Sequence, residues 1–345
     1  MPAPETPLLL RAARREPTPV TPVWLMRQAG RFLPEYRALR ARHGFLELCR
    51  DPAAAAEVTL LPIDRLGVDA AILFADILLL IEPLGVGLEF AQGEGPVIQR
   101  PIRTGAQVER LAPIDPATAV PFVFETVRTV VRELAGRLPL IGFAGGPFTV
   151  ASYLIEGGPS RDYLHVKRFM YEEPEGWHRL MDLLGEATAH YLNGQIAAGA
   201  QAVQLFDSWA GVLSPADYRA FVQPHVRALL EKVTPGVPII HFGTGTAGLL
   251  PCMRDAGGDV IGLDWRVDLD AAWSVLGPDV AVQGNLDPAA LLAPPVLFKQ
   301  RARDVLTRAG GRPGHIFNLG HGVLPQTPVD HVRALVDMVH DLSSK

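Results

Sequence analysis

Residues 202–208 read AVQLFDS, a short, mostly apolar run that ends on an acid and a hydroxyl. Helical sequence flanks it: a periodic segment from about Trp177 to Ala198 before it, and after it a capping-type start, Ser214-Pro215-Ala216-Asp217, leading into a helix with Phe221, Val226 and Leu230 inside. An apolar run of this length between two helices has the form of a strand buried on both faces. The form recurs along the chain. It is present in VDAAILF (68–74), PLIGFAGGPF (139–148), VPIIHFG (237–243), GDVIGLDW (258–265), DVAVQGNLD (279–287) and HIFNLGHG (315–322). Further helices are expected from Asp51-Pro52 to about Asp64, from about Pro121 to Gly136, and after Thr327-Pro328, which reads as the cap of a last helix with Val332, Leu335, Val336 and Val339 facing inward.

A short strand around Val23–Leu25 brings the count to about eight strand-and-helix units, the number of a (β/α)8 TIM-type barrel. An open doubly wound sheet is the alternative. It lacks support because no G-x-G-x-x-G follows a strand and no G-x-x-x-x-G-K-[ST] occurs. The glycine-rich stretch near Gly85–Pro101 reads as a hairpin insertion after an early strand. Residues 1–20 read as a flexible N-terminal arm and residues 21–345 as a single catalytic domain.

The composition narrows the function classes. Of 345 residues, 48% are hydrophobic, enough for a substantial core. A net charge of −5 gives no reason to expect nucleic acid or a membrane surface as partner. Two cysteines, Cys49 and Cys252, make neither a disulfide framework nor a C-x-x-C pair, so a reducing, cytoplasmic setting is expected. The start holds only three consecutive leucines before arginines, and no stretch has the length and apolarity of a membrane span.

Within this acidic chain lies a basic knot. Trp24 to Arg42 reads WLMRQAGRFLPEYRALRAR, and extension to Arg50 gives six arginines against Glu35 and Glu47. Arginine pairs with carboxylate or phosphate through two parallel hydrogen bonds and keeps its charge. Pro34 fits the first turn of a short helix and Gly44 a left-handed stop. Arg37 and Arg42 then fall on a solvated helix face. Arg27 and Arg31 fall on a loop, beside apolar residues and around Gly30, where a backbone can approach a ligand.

In a barrel the chemistry sits where the strands end. Those ends carry Asp76, Gly145-Gly146, Asp207-Ser208, His241, Asp264, Asn285 and His321. Asp264 and Asp287 read as caps or partners of loop amides, and His241 reads equally as a core histidine. Asp76 stands apart, because Ile77-Leu78-Leu79-Leu80 follows it with no polar companion. A carboxylate in such surroundings needs a partner or a ligand. There is no G-x-S-x-G, no H-E-x-x-H, no paired-cysteine zinc site and no lysine at a strand end. The remaining set suits a polyanionic substrate with one cationic centre.

At this level the motifs resemble a known family. PVWLMRQAGRFLPEYR and GFAGGPFTVASYLIEGG are similar to the two signatures of uroporphyrinogen decarboxylases, and FADILL, FDSWAG and NLGHGVLP match further segments in the same order, from about Pro22 to Pro325. The resemblance implies a (β/α)8 barrel, a homodimer, and removal of four acetate carboxyl groups from uroporphyrinogen III without cofactor or metal. It implies that Arg27, Gln28, Ala29, Gly30 and Arg31 form a loop that meets substrate carboxylates, with Arg40 as a further basic residue. It places Asp76 against the pyrrole N–H groups, with Arg27 and Asp76 as the catalytic pair, and Tyr153, Ser208 and His321 lining the same cleft. The competing reading is a zinc-dependent corrinoid or thiol methyltransferase of the same superfamily. That reading requires His-x-Cys where this chain has His241-Phe242-Gly243.

Overall fold

The computed structural model describes residues 6–91 and 95–344. Its strands are β1 (Ala71–Ile72), β2 (Leu88–Ala91), β3 (Gly95–Ile98), β4 (Leu140–Gly145), β5 (Ala202–Asp207), β6 (Ile239–Gly243), β7 (Val260–Gly262), β8 (Ala281–Gln283) and β9 (His315–Ile316). Seven of them form one all-parallel sheet in the order β1-β4-β5-β6-β7-β8-β9. The eighth place is filled by Pro22–Val23, which makes a single parallel bridge to Phe317 instead of the fuller strand expected at Val23–Leu25. Its backbone closes the ring on both sides: the Phe317 N–H donates to the Pro22 carbonyl at 2.9 Å and the Asp69 N–H to the Val23 carbonyl at 2.8 Å. The result is a (β/α)8 barrel with its helices outside. β2 and β3 pair antiparallel after the first strand, and the turn of this expected hairpin lies outside the described residues.

The interior is layered as strand alternation requires. Gln204 and Gln283 point inward, and a buried chain of hydrogen bonds runs from Trp24 Nε1 to Gln283 Oε1 (2.9 Å) and from Gln283 Nε2 to Gln204 Oε1 (3.0 Å). Above this layer, toward the strand ends, Phe143, Phe206 and Phe242 meet edge to face at 5.5 and 5.8 Å.

Several local expectations change. The expected flexible N-terminal arm contains a helix, Leu8–Ala13, whose Leu9, Leu10, Ala12 and Ala13 are buried against β8 and β9. Three leucines suffice to dock it because they meet the apolar foot of the barrel. Gly44 is no left-handed stop: with φ −62° it precedes a second helix, Phe45–Arg50, and its N–H donates to Glu47 Oε2 at 3.0 Å. The segment holding Phe221, Val226 and Leu230 is two helices, Pro215–Phe221 and Gln223–Glu231, broken where Pro224 removes a backbone donor. Thr327 does not cap the last helix, Val329–Ser343, since its buried hydroxyl has no partner among the described residues.

Candidate active site

The strand ends gather at one mouth of the barrel, and the loop from Met26 to Leu33 lies across it. Arg27 has φ 62°, a left-handed conformation costly for a residue with a Cβ and typical of constrained functional loops. The loop is tied down around it. Gln28 is fully buried; its Oε1 accepts from the Leu25 N–H and its Nε2 donates to the Ala70 carbonyl, both at 3.0 Å. The Gln28 side chain, expected to touch substrate, bonds instead the backbone of Leu25 and of Ala70, the residue just before β1. Ala29 is half-buried on the core. Gly30 is required by its own loop, since a Cβ there would lie 2.5 Å from the Arg27 carbonyl oxygen. Arg37, expected on a solvated face, donates from Nη1 to the carbonyls of Arg31 and Phe32, each at 2.9 Å, and so braces the loop from below.

Arg27 and Arg31 themselves are exposed toward the mouth, and their side chains donate to no described residue. The protein around Arg27 and the like charge of Arg31 lower the Arg27 pKa. Two neighbouring cations with no ion-pair partner among the described residues form a site that attracts a further anion. Arg40 shares Tyr36 as a neighbour with Arg31. It is half-buried at the end of its helix, bonds the His43 carbonyl at 2.6 Å and lies 5.6 Å from the Phe45 ring.

Asp76 ends the segment after β1. Its Oδ1 accepts from the Leu78 N–H at 2.9 Å, and no ion pair reaches it among the described residues. Part of it remains accessible through the mouth, yet burial pushes its carboxyl from 3.8 up to about 6, against the pull of the Leu78 amide and of Arg27. Tyr153, on the helix Pro147–Glu156, stacks on Trp209 at 4.0 Å. Burial, then Asp76, raises its phenol to about 12. Ser208 is half-buried beside Trp209, and its carbonyl accepts the Thr244 hydroxyl. His321 sits 6.4 Å from the Phe242 ring and is pushed down to about 4 by burial, by Arg27 and by Arg266. Arg27, Asp76, Tyr153 and His321 thus share one electrostatic neighbourhood above an aromatic floor.

The other polar strand ends have local duties. Asp207 is fully buried and turned outward; its Oδ1 accepts from the Thr149 N–H (3.2 Å) and hydroxyl (2.8 Å), capping the helix that carries Tyr153. Asp264 accepts from the amides of Gly245 and Arg266, and Asp287 from that of Ala289. His241 is the core histidine: it lies outside the barrel wall beside the backbone of Met253 and Gly257, and burial pushes it down to about 4. No group of three His, Cys, Asp or Glu among the described residues is arranged to hold a metal. The sequence reading missed the phenylalanine floor. Its signal was a phenylalanine near the end of three successive strands, GFAGG, LFDS and HFG.

Such a cleft can hold several carboxylates on one wall and stabilise a cation over one desolvated acid. The family model for uroporphyrinogen decarboxylase matches residues 4–342. Relatives named uroporphyrinogen decarboxylase include one from Carboxydothermus hydrogenoformans, 55% identical over 97% of this chain and 96% of its own length. Another, from Thermus thermophilus, is 54% identical over 98% of both chains. The solved structure of a methyltransferase from Methanosarcina mazei covers 98% of this chain and 99% of its own with a TM-score of 0.85 at 22% identity, and so shares the fold. With nearly all of its length matched by that model and by relatives more than half identical, the chain belongs to the uroporphyrinogen decarboxylase family.

Proposed function

We propose that this protein removes the acetate carboxyl groups of uroporphyrinogen III, four in turn, to give coproporphyrinogen III in tetrapyrrole biosynthesis. The observation that carries the reading is the pair Arg27 and Arg31, with no hydrogen-bond or ion-pair partner for either side chain among the described residues, beside the desolvated carboxyl of Asp76. Family membership supplies the substrate class. The substrate carries eight carboxylates around a flat tetrapyrrole, which suits arginines on the wall and phenylalanines beneath.

The chemistry needs an electron sink, and the pyrrole provides it. A proton added to the ring carbon next to the acetate-bearing one makes an iminium-like cation. The C–C bond to the carboxylate then breaks, its electron pair flows toward the ring nitrogen, and CO2 leaves. The exocyclic methylene takes a proton to become a methyl group, and the ring carbon returns its own. Ionised Asp76 stabilises the cation more than the neutral ground state, which is the differential binding that accelerates the step. Arg27 and Arg31 hold carboxylates, and Tyr153, Ser208 and His321 supply uncharged hydrogen-bonding groups around the ring. Arg40, whose Nη1 bonds the His43 carbonyl, is a further basic residue beside this set.

The methyltransferase alternative loses its donor set, because His241 faces away from the mouth and Phe242-Gly243 follow it. The reading includes a cytoplasmic homodimer of the 37.3 kDa chain, checked by sedimentation. Among the described residues no helix is long and apolar enough to cross a membrane. The test of the function is anaerobic incubation with uroporphyrinogen in the dark, then chromatography of the oxidised products. Stepwise appearance of hepta- to tetracarboxylic porphyrins is expected; unchanged octacarboxylic porphyrin refutes the reading.

A further inference from the structure

Arg266 lies just beyond β7, in the run Leu263-Asp264-Trp265-Arg266, at the same end of the barrel as the mouth. Its loop presses on the loop that carries His321. At Gly320 a Cβ would overlap the backbone of Asp264 and Trp265, and at Gly322 a Cβ would overlap the Arg27 side chain. Residues 320–322 are therefore clamped between the Arg266 loop on one side and Arg27 on the other, with His321 in the middle. Both arginines act on the His321 imidazole and favour its neutral form.

The Arg266 side chain is pinned but not used up. Its Nη1 pairs with Asp264 Oδ2, and its guanidinium carbon sits 4.0 Å from the centroid of the Trp265 ring. Asp264 is itself only 2% exposed and is anchored by the Gly245 N–H at 2.6 Å. The arginine nevertheless stays 51% exposed, and its Nε and Nη2 donate to no described residue. A guanidinium held by a ring and a buried acid, with one edge open, binds a carboxylate with little further loss of side-chain freedom. An octacarboxylate seated on the phenylalanine floor spreads its charges around the whole rim. Arg27 and Arg31 meet them from one side only.

We propose that Arg266 is a substrate-binding residue that grips a tetrapyrrole carboxylate remote from the reacting acetate, across His321 from Arg27. The inference rests on the reading of the cleft as a uroporphyrinogen site. The test is steady-state decarboxylation of uroporphyrinogen by Arg266→Met and Arg266→Lys at low and high salt, with a thermal melt of each. Loss of a half-exposed charge-assisted contact should raise KM for Arg266→Met about tenfold at low salt, with kcat within about twofold and a weaker salt dependence of KM. Lysine should recover part of the loss, because it keeps the charge but not the fork. An unchanged KM in Arg266→Met, or a lower melting temperature with KM unmoved, overturns the proposal and leaves a purely structural ion pair. Failure of the unaltered protein to turn over uroporphyrinogen is a different result, which removes the reading of the cleft itself.

Discussion

Replacing Asp76 by asparagine removes one charge and keeps the shape. The one side-chain hydrogen bond that Asp76 makes among the described residues, from the Leu78 N–H, survives on the asparagine oxygen. The fold should therefore hold, and it should gain. In the folded protein the Asp76 carboxyl lies at about 6 instead of 3.8, because burial disfavours its charge. Its ionisation at neutral pH thus costs the native state up to about 3 kcal/mol. The sign follows from the raised pKa: the penalty is absent below about pH 4, grows as pH rises through 6, and is full above that. Asparagine carries no such penalty, so above pH 7 the variant should melt a few degrees higher than the unaltered protein. The rate should move the other way. Loss of one preorganised electrostatic contact to a developing charge costs about 2.7–4 kcal/mol, on the order of a hundred- to thousandfold in the chemical step. The assay is single-turnover decarboxylation of the first acetate, followed from pH 5 to 8 beside a thermal melt. The unaltered enzyme should lose kcat/KM as pH falls through about 6, and the variant should lack that limb. A near-normal rate in Asp76→Asn would remove Asp76 from the chemistry and leave it as a loop-capping acid, for which asparagine is an adequate substitute.

Three further outcomes are expected. Arg27→Ala and Arg31→Ala should each impair substrate handling by about 1.5–3 kcal/mol in kcat/KM, whereas Arg42→Ala, on the exposed helix, should change it by about 0–1 kcal/mol; equal effects in all three would undo the division between loop and surface. Thr149→Val removes the hydroxyl that donates to Asp207 and accepts from the Trp209 N–H at 3.1 Å, so denaturant titration should show a loss of about 1–3 kcal/mol. Turnover should be indifferent to prolonged dialysis against EDTA; a complete loss restored by zinc would revive the methyltransferase reading.

The repeat of buried strand and polar strand end was legible in the sequence, because parallel strands covered on both faces leave long apolar runs that only their ends interrupt. Asp76 stood out for the same reason, as an acid with four apolar residues behind it and no local partner. Arg27 and Arg31 could be separated from the helix arginines by Pro34, which sets where the helix begins. The sequence did not say which strand-end side chains share the mouth. AVQLFDS and VPIIHFG each offer a polar group near the end of a buried strand, yet Asp207 and His241 both point outward, one to cap a neighbouring helix and the other to lie in the core. A strand buried on both faces has no hydrophobic asymmetry to distinguish inside from outside, so only the closed barrel decides. Arg37 is exposed, as the sequence predicts, but only folding sets its guanidinium against the carbonyls of Arg31 and Phe32. The same holds for Arg266, whose place across His321 from Arg27 depends on two glycines that let three loops meet. Local pattern reports how apolar a segment is. Which polar group faces which is settled by contacts between residues far apart in the chain, and these exist only once the ring has closed at Val23 and Phe317.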